Sequence, residues 1–298
     1  MRRVWGAVTV SSEPFDFKTF GAPGNQFRCS SLTNLQKCRG LWLLRHVDDS
    51  GAGKAAHTGT AVGRAIELWH RQGEPDAETK GILESILEVV KEESVNSEDP
   101  FDLADWSNVE KGLTSYALDP RNKGVVLTES LEETVTAVLD PHPTDPTGLP
   151  ITVRGHIDQA RRDSLGRVLV WDLKNGKPDG LEMVWSYILQ QSLYTVAYAQ
   201  SHPEEEVRWG GIIRLQGYRT RERREGKLKD RKVGTHPVFF ESPVFLEDID
   251  TLLRMVTLAV SQIRRGEVVL TPGAHCNFCP AGGVTACIPQ LRAMGMDV

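Results

Sequence analysis

The stretch Arg154–Lys177, RGHIDQARRDSLGRVLVWDLKNGK, decides how the rest of the chain is read. Asp163-Ser164-Leu165-Gly166-Arg167 predicts a three-residue loop closed by Asp163 and Arg167, with Gly166 at the left-handed position. The flanking segments read as strands, so the stretch predicts a β-hairpin. In that register Asp158 lies opposite Asp172 and His156 opposite Lys174. Alternation turns Asp172 and Lys174 toward one face. Directly opposed residues have Cβ atoms about 4.5–5.5 Å apart, and two carboxylates at that distance repel. A cation or a shared proton offsets the repulsion. The hairpin therefore predicts a metal site with Lys174 at its edge.

On either side of the hairpin the hydrophobic period defines the neighbours. Val168-Leu169-Val170-Trp171 is apolar on both faces and predicts a central strand covered on both sides. Upstream, VVLTES (125–130) and ETVTAVLD (133–140) read as strands, followed by the Pro-rich turn HPTDPTGLP. Downstream, an amphipathic helix runs roughly from Leu181 to Gln200. VRWGGIIRLQ reads as a buried strand, YRTRERREGKLKDRK as a charged stretch, HPVFFES as a strand and FLEDIDTLLRMVTLAVSQIRRG as a helix. The tail TPGAHCNFCPAGGVTACIPQ is loop-like and cysteine-rich.

Before residue 120 the period is helical. Ser30-Ser31 can cap a single helix through LTNLQKCRGLWLLRHV, and DDSGAGKAA is a flexible connector rather than a phosphate loop. Thr58 or Thr60 opens TGTAVGRAIELWHRQ, and helical patterns continue over about 76–93 and 105–117 with a polar break at NSEDP. Residues 1–30 lack periodicity and read as extended or mobile. The expected fold is α/β, a central mixed β-sheet flanked by helices. The chain divides into an N-terminal extension (1–30), a helical portion (31–118), a core (124–265) and a cysteine-rich segment (266–298), all within one domain.

With 298 residues, 40% hydrophobic and 25% charged, the chain has the composition of an ordinary globular protein. No apolar run approaches the ~18–20 residues that span a bilayer, and the first residues lack a signal-peptide core, so an intracellular, cytoplasmic protein is expected. A net charge of −5 argues against a general polyanion coat binder but not against local phosphate contacts. Five cysteines, an odd number mostly gathered at the C-terminus, suit metal ligands better than a disulfide framework.

Asp158, Asp172 and Lys174 suit phosphodiester hydrolysis. Two carboxylates can hold hard divalent cations such as Mg2+ or Mn2+, and a lysine can orient water or stabilise phosphoryl charge. Cys276-x2-Cys279-x7-Cys287 wants a fourth ligand; Cys38 is the best candidate, with His275 and Cys29 as rivals. Four thiolates can hold zinc or an iron–sulfur cluster.

GHID followed by WDLKNGK resembles the GxxD…(D/E)xK core of the PD-(D/E)XK nuclease superfamily, in its RecB-like branch. Gln190 and Tyr194 supply the Q-x-x-x-Y helix motif of that branch, and their i,i+4 spacing places them on one helical face. The resemblance implies a restriction-endonuclease-like core and a metal-dependent deoxyribonuclease, an exonuclease on DNA ends or single strands. Its catalytic residues would be Asp158, Asp172, Lys174, Gln190 and Tyr194. One cysteine near the N-terminus and three near the C-terminus resemble the AddB-type and CRISPR-associated nucleases. That likeness implies a [4Fe–4S] cluster on Cys38, Cys276, Cys279 and Cys287, stapling segments more than 200 residues apart. DNA is the implied partner, with a recombination or CRISPR adaptation protein beside it in a phage or prokaryotic setting; self-association is left open.

The likeness is incomplete at Gly59-Thr60-Ala61-Val62-Gly63, where glycine stands in the histidine position of GTxxH. Glu67, one turn on, is the candidate replacement ligand, while His57 and His70 read as exposed or capping residues. The departure supports an alternative, an inactive nuclease-fold DNA-binding or assembly module. Arg219 to Lys232 holds eight basic and three acidic residues. It reads either as a solvated loop or as a basic hairpin in which Arg219, Arg221, Arg223 and Arg224 hold a nucleic-acid backbone. Arg154 and Arg214 are alternative phosphate contacts. Trp5, Trp42, Trp185 and Trp209 could stack on bases, but core packing is their default.

Overall fold

The computed structural model describes residues 16–47, 54–77, 81–96, 103–125, 127, 133–175, 187–215, 218–224, 227–233, 238–241, 246–273, 275, 276, 279, 281 and 283–298. The expectations for residues 1–15, most of the DDSGAGKAA connector and of NSEDP, most of the VVLTES strand, and the helix start at 181–186 lie outside the described residues, as do Trp5 and Trp185.

The hairpin forms in the expected register over its inner half. Strand β4 (Gln159–Arg162) pairs antiparallel with β5 (Val168–Lys174), Gln159 opposite Trp171 and Arg162 opposite Val168. Its loop closes as the sequence predicts: Asp163 N donates to Arg167 O, Gly166 has φ +81°, and Arg167 Nε donates to Asp163 Oδ2 at 2.8 Å.

Beyond Gln159 the expected ladder does not continue. The chain bends at Asp158, and the preceding strand β3 (Ile151–Ile157) belongs to another sheet. There it pairs antiparallel with β2 (Glu133–Leu139) and parallel with the short β1 (Phe27–Arg28). His156 consequently faces Thr134, not Lys174. The expected central sheet is thus two mixed sheets joined at a corner, β1-β3-β2 and β4-β5-β6-β9, of which β6 is Val207–Arg214 and β9 Val238–Glu241. Corners of this kind are made where one strand changes sheets through a bend.

Charge patterning resolves in the stretch after β6. Tyr218–Arg224 (β7) and Lys227–Val233 (β8) pair antiparallel as a separate two-stranded ribbon. The ribbon leaves the second sheet just after Arg214, whose register partners are Lys174 and Val238.

Eight α-helices are described. The expected N-terminal helix is two, α1 (Leu32–Lys37) and α2 (Arg39–Val47), because Cys38 between them is extended at φ −167°, ψ 130°. Next come α3 (Lys54–Arg71), α4 (Ile82–Asn96) and α5 (Trp106–Leu118), where the helical periods fall. Then follow α6 (Ile188–Ser201), α7 (Leu246–Arg264) and α8 (Val284–Ala293). The last corrects the loop-like tail: Cys287 and Leu291 are buried against the core, and that burial holds VTACIPQLRA helical despite Pro289. Residues 16–30 are likewise built in rather than mobile. Phe20 and Phe27 are fully buried and meet the Trp42 ring edge-on at 5.1 and 4.8 Å.

Two apolar clusters cover the two faces of β5. One gathers Val168 and Val170 with the inner faces of β2 and β3 and with α2, α6, α7 and α8. The other packs Trp171, and at its margin Leu169 and Leu173, against α3, α4 and α5. Alternation along β5 decides the division, and it leaves Asp172 and Lys174 on the α6 side. No described helix is long and apolar enough to cross a membrane.

Candidate active site

The site forms where the corner strand, β5 and the first turns of α6 meet. Asp172 is buried, and its Oδ1 accepts from Gln190 Nε2 at 3.0 Å. The same Nε2 lies 3.2 Å from Tyr194 Oη, so the i,i+4 pair works as one polar unit, as its spacing predicts. Lys174 Nζ lies 2.6 Å from Asp172 Oδ2, an ion pair rather than a directed bond, since Oδ2 accepts no well-aligned hydrogen bond. Asp158 is not opposite Asp172 in a ladder. It reaches across the corner instead, and its Oδ2 accepts from Leu173 N at 2.5 Å.

Two glycines make the arrangement possible. A Cβ at Gly155 would lie 2.5 Å from Tyr194 Cε1 and 2.9 Å from Cys29 Sγ, so the first residue of GHID is the seat of the Tyr194 ring. Gly210 is the extra residue of a bulge in β6, where Val170 pairs with Trp209 and Trp171 with Gly211. A Cβ at Gly210 would lie 2.4 Å from Val170 O. The bulge comes one residue before Asp172 and re-aims the strand there.

Electrostatics follow from burial. Burial raises the Asp172 carboxyl, and the Lys174 ammonium offsets this only in part. Burial pulls Lys174 down, but Asp172, then Asp158 and Tyr187, outweigh it and leave the ammonium raised and protonated. Burial also pushes Tyr194 well up, with the Asp172 and Asp158 charges adding to it. Tyr187 was missed from the sequence. Its ring lies 4.8 Å from Lys174 Nζ, and its one signal is its place a turn before Gln190 and Gln191.

Other candidates are placed differently. Glu67 is buried on α3, with its carboxylate engaged by Arg64 and by Arg71 (2.5 Å). Its helix packs on the opposite face of β5, and among the described residues Glu67 forms no three-membered metal-holding group with the acids. His70 is not exposed: Nδ1 meets Glu74 at 3.0 Å and Nε2 meets Tyr116 Oη at 2.8 Å. Arg214 is fully buried, in register beside Lys174 and on the same face. Arg154 is exposed on the outer face of β3. Arg219, Arg221, Arg223 and Arg224 all fall within β7 of the ribbon. Trp42 is core, its Nε1 donating to Ser31 Oγ at 2.9 Å.

Cys38, Cys276, Cys279 and Cys287 all line one pocket, together with Leu41, Leu270, Pro272 and His275. Cys29 is elsewhere, beside Gly155 and Tyr194, and burial pushes its thiol above the usual range. Cys279 and Cys287 share a proton: the hydrogen bond from Cys287 lowers Cys279 to about 6, and the same bond raises Cys287. Four sulfurs and an imidazole lining one pocket suit a soft metal. The acidic pair offers hard oxygens, one of them Asp172 Oδ2, which suits Mg2+ or Mn2+. Among the described residues no three His, Cys, Asp or Glu side chains are already gathered as a metal-holding group.

The mixed α/β architecture is of the restriction-endonuclease-like kind. The PD-(D/E)XK nuclease superfamily model matches residues 26–284, a span holding both sheets, the ribbon and α6, and the chain belongs to that superfamily. Its members typically use divalent metals, and DNA is the implied substrate. No curated protein matches. Among solved structures, a crystal structure of SSO0001 aligns at 11% identity and a TM-score of 0.30, covering 84% of this chain and 92% of that one. A likeness so slight carries no argument.

Proposed function

We propose that the chain is a Mg2+- or Mn2+-dependent deoxyribonuclease, an exonuclease that works on DNA ends or single strands. The observation that carries this reading is the Asp172–Lys174–Gln190–Tyr194 cluster beside Asp158, buried but for the lysine. Asp158 and Asp172 would hold the divalent ion, which when bound neutralises phosphate charge and lowers the pKa of a coordinated water. Gln190 fixes Asp172 through Oδ1, and Oδ2, which is ion-paired with Lys174, would be shared with the ion once it binds. Lys174, kept protonated by the two acids, presents its ammonium to the phosphoryl oxygens where charge develops. Tyr194 and Tyr187 exclude water around Gln190 and Lys174. Arg219, Arg221, Arg223 and Arg224 on the ribbon would hold the nucleic-acid backbone, supported by the ribbon's origin next to Arg214 and Lys174.

The cysteine pocket would hold a [4Fe–4S] cluster on Cys38, Cys276, Cys279 and Cys287, with zinc as the alternative. What supports this is that all four cysteines line one pocket. The cluster's role would be to staple the α1–α2 junction to the C-terminal segment. Such an enzyme suits recombination, repair or CRISPR adaptation inside a cell, beside a partner protein.

The test is digestion of end-labelled linear DNA and of closed circular DNA in Mg2+ and Mn2+. Asp172→Asn and Lys174→Met should each cut at least ~10²-fold more slowly, in line with the loss of a charge-stabilising group. Circular DNA should survive. Undiminished cleavage by both variants refutes the site, and cleavage of circles refutes the exonuclease. The engagement of Glu67 by Arg64 and Arg71 favours a second reading, a nuclease fold that binds DNA without cutting. Binding without cleavage across a series of divalent metals would establish it.

A further inference from the structure

The outer face of the β1-β3-β2 sheet is open to solvent and is built from Arg28, Thr134, Thr136, Val138, Thr152, Arg154 and His156. In a chain of net charge −5, none of these residues is acidic. Threonine suits any exposed strand, so the threonines alone carry nothing. The arginines carry more. Arg28 and Arg154 are register partners on adjacent parallel strands, about 4.8 Å apart at the backbone. Like charges placed side by side on a sheet destabilise it. Both are exposed, and neither side chain has an ion pair or hydrogen bond to another described residue. The next outward position along β3 is His156, whose Nδ1 meets Thr134 Oγ1 at 2.9 Å. Two residues further is Asp158, so the arginine pair stands about 13 Å along the strand from the corner acid.

From this placement we infer that the open face is a phosphate seat for duplex DNA, with Arg28 and Arg154 gripping one strand's backbone upstream of the end being cleaved. The inference rests on the reading of the chain as a DNA nuclease and adds where the uncut duplex lies. Arginine, threonine and histidine are donors that serve phosphate oxygens without reading bases. The face lacks the aromatic platforms on which single strands stack, and that favours the duplex.

Binding of a labelled 20-bp duplex and of a single strand of equal length is measured by anisotropy over a salt series. The full chain is used without divalent cations and in the Asp172→Asn background. Replacing Arg28 and Arg154 together by alanine removes two phosphate contacts. The slope of log K against log[salt] for the duplex should then fall by ~1.8, with affinity at least tenfold weaker at moderate salt. Single-strand binding should hold. The double lysine variant should restore most of the slope, which a packing role would not do. The melting temperature of the alanine variant should match or exceed the parent's. An unchanged duplex slope, or an equal fall for the single strand, overturns the inference. The nuclease reading fails separately, if the unsubstituted chain binds duplex with full slope yet cuts nothing in Mg2+ or Mn2+.

Discussion

Adding one methyl group at Gly155 should disable the site without touching an acid or the lysine. The new Cβ would lie 2.5 Å from Tyr194 Cε1 and 2.9 Å from both Tyr194 Cδ1 and Cys29 Sγ, where ordinary contact begins at 3.4 Å. The ring must therefore retreat by about 1 Å, yet Tyr194 is buried and tied to Gln190. Overpacking of this kind costs about 1–3 kcal/mol. At about 2–4 °C per kcal/mol, the melting temperature should fall by several degrees. Catalysis should suffer more, because Gln190 also holds Asp172 and a misplacement of ~1 Å can cost ~10²-fold. Gly155→Ala is measured by thermal unfolding and by digestion of end-labelled DNA at saturating substrate. The same change is then made in a Tyr194→Leu/Cys29→Ala background, where both crowded partners are smaller and the methyl should be nearly neutral for stability. Parent-like melting and cleavage in the single variant, or an undiminished stability penalty in the relieved background, would refute the reasoning.

Three further outcomes are expected. Asp145 and Arg264 form a buried pair at 3.1 Å, and breaking it with Asp145→Asn should cost about 3–5 kcal/mol in chemical denaturation. Burial pushes the Asp145 carboxyl up, but Thr147 and Arg264 outweigh it and leave it lowered. Its stabilisation is thus full above about pH 4 and is lost as pH falls through the lower folded value, a component the variant should lack. Tyr187→Leu removes the ring 4.8 Å from Lys174 Nζ, an interaction of about 0.5–2 kcal/mol, so kcat should fall about 2–30-fold with KM little changed. Cys38→Ser and Cys276→Ser should each lower bound iron, and the melting temperature with it, by metal analysis and calorimetry after anaerobic purification.

Local chemistry made much of this legible. Asp163, Gly166 and Arg167 determine a turn by themselves, and the turn fixes the register of its strands as far as Gln159. The two-sided apolarity of Val168–Trp171 and the i,i+4 pair Gln190/Tyr194 are likewise properties of short segments. The bend at Asp158 is not. It depends on β3 finding Glu133–Leu139 and Phe27–Arg28 as partners, and no residue near Asp158 announces them. The surroundings of Glu67 were hidden for the same reason. Its helical spacing from Gly63 is right, but which face of β5 receives α3 is decided by packing around Trp171. Tail residues 284–293 form a helix only because Cys287 and Leu291 find a core assembled from the whole chain.

Asp158 stands in the bend between the two sheets and Asp172 on a strand of the second, so beyond Gln159 the two acids are tied not by a ladder but by one hydrogen bond, from Leu173 N to Asp158 Oδ2. Helix α6 touches β2 and β3 on one side and β5 and β6 on the other, like a wedge driven into a hinge. The opening that a metal would meet is therefore a matter of leverage. Any rocking of α6 that parted the sheets would fall on that one hydrogen bond, while each sheet kept its own ladder.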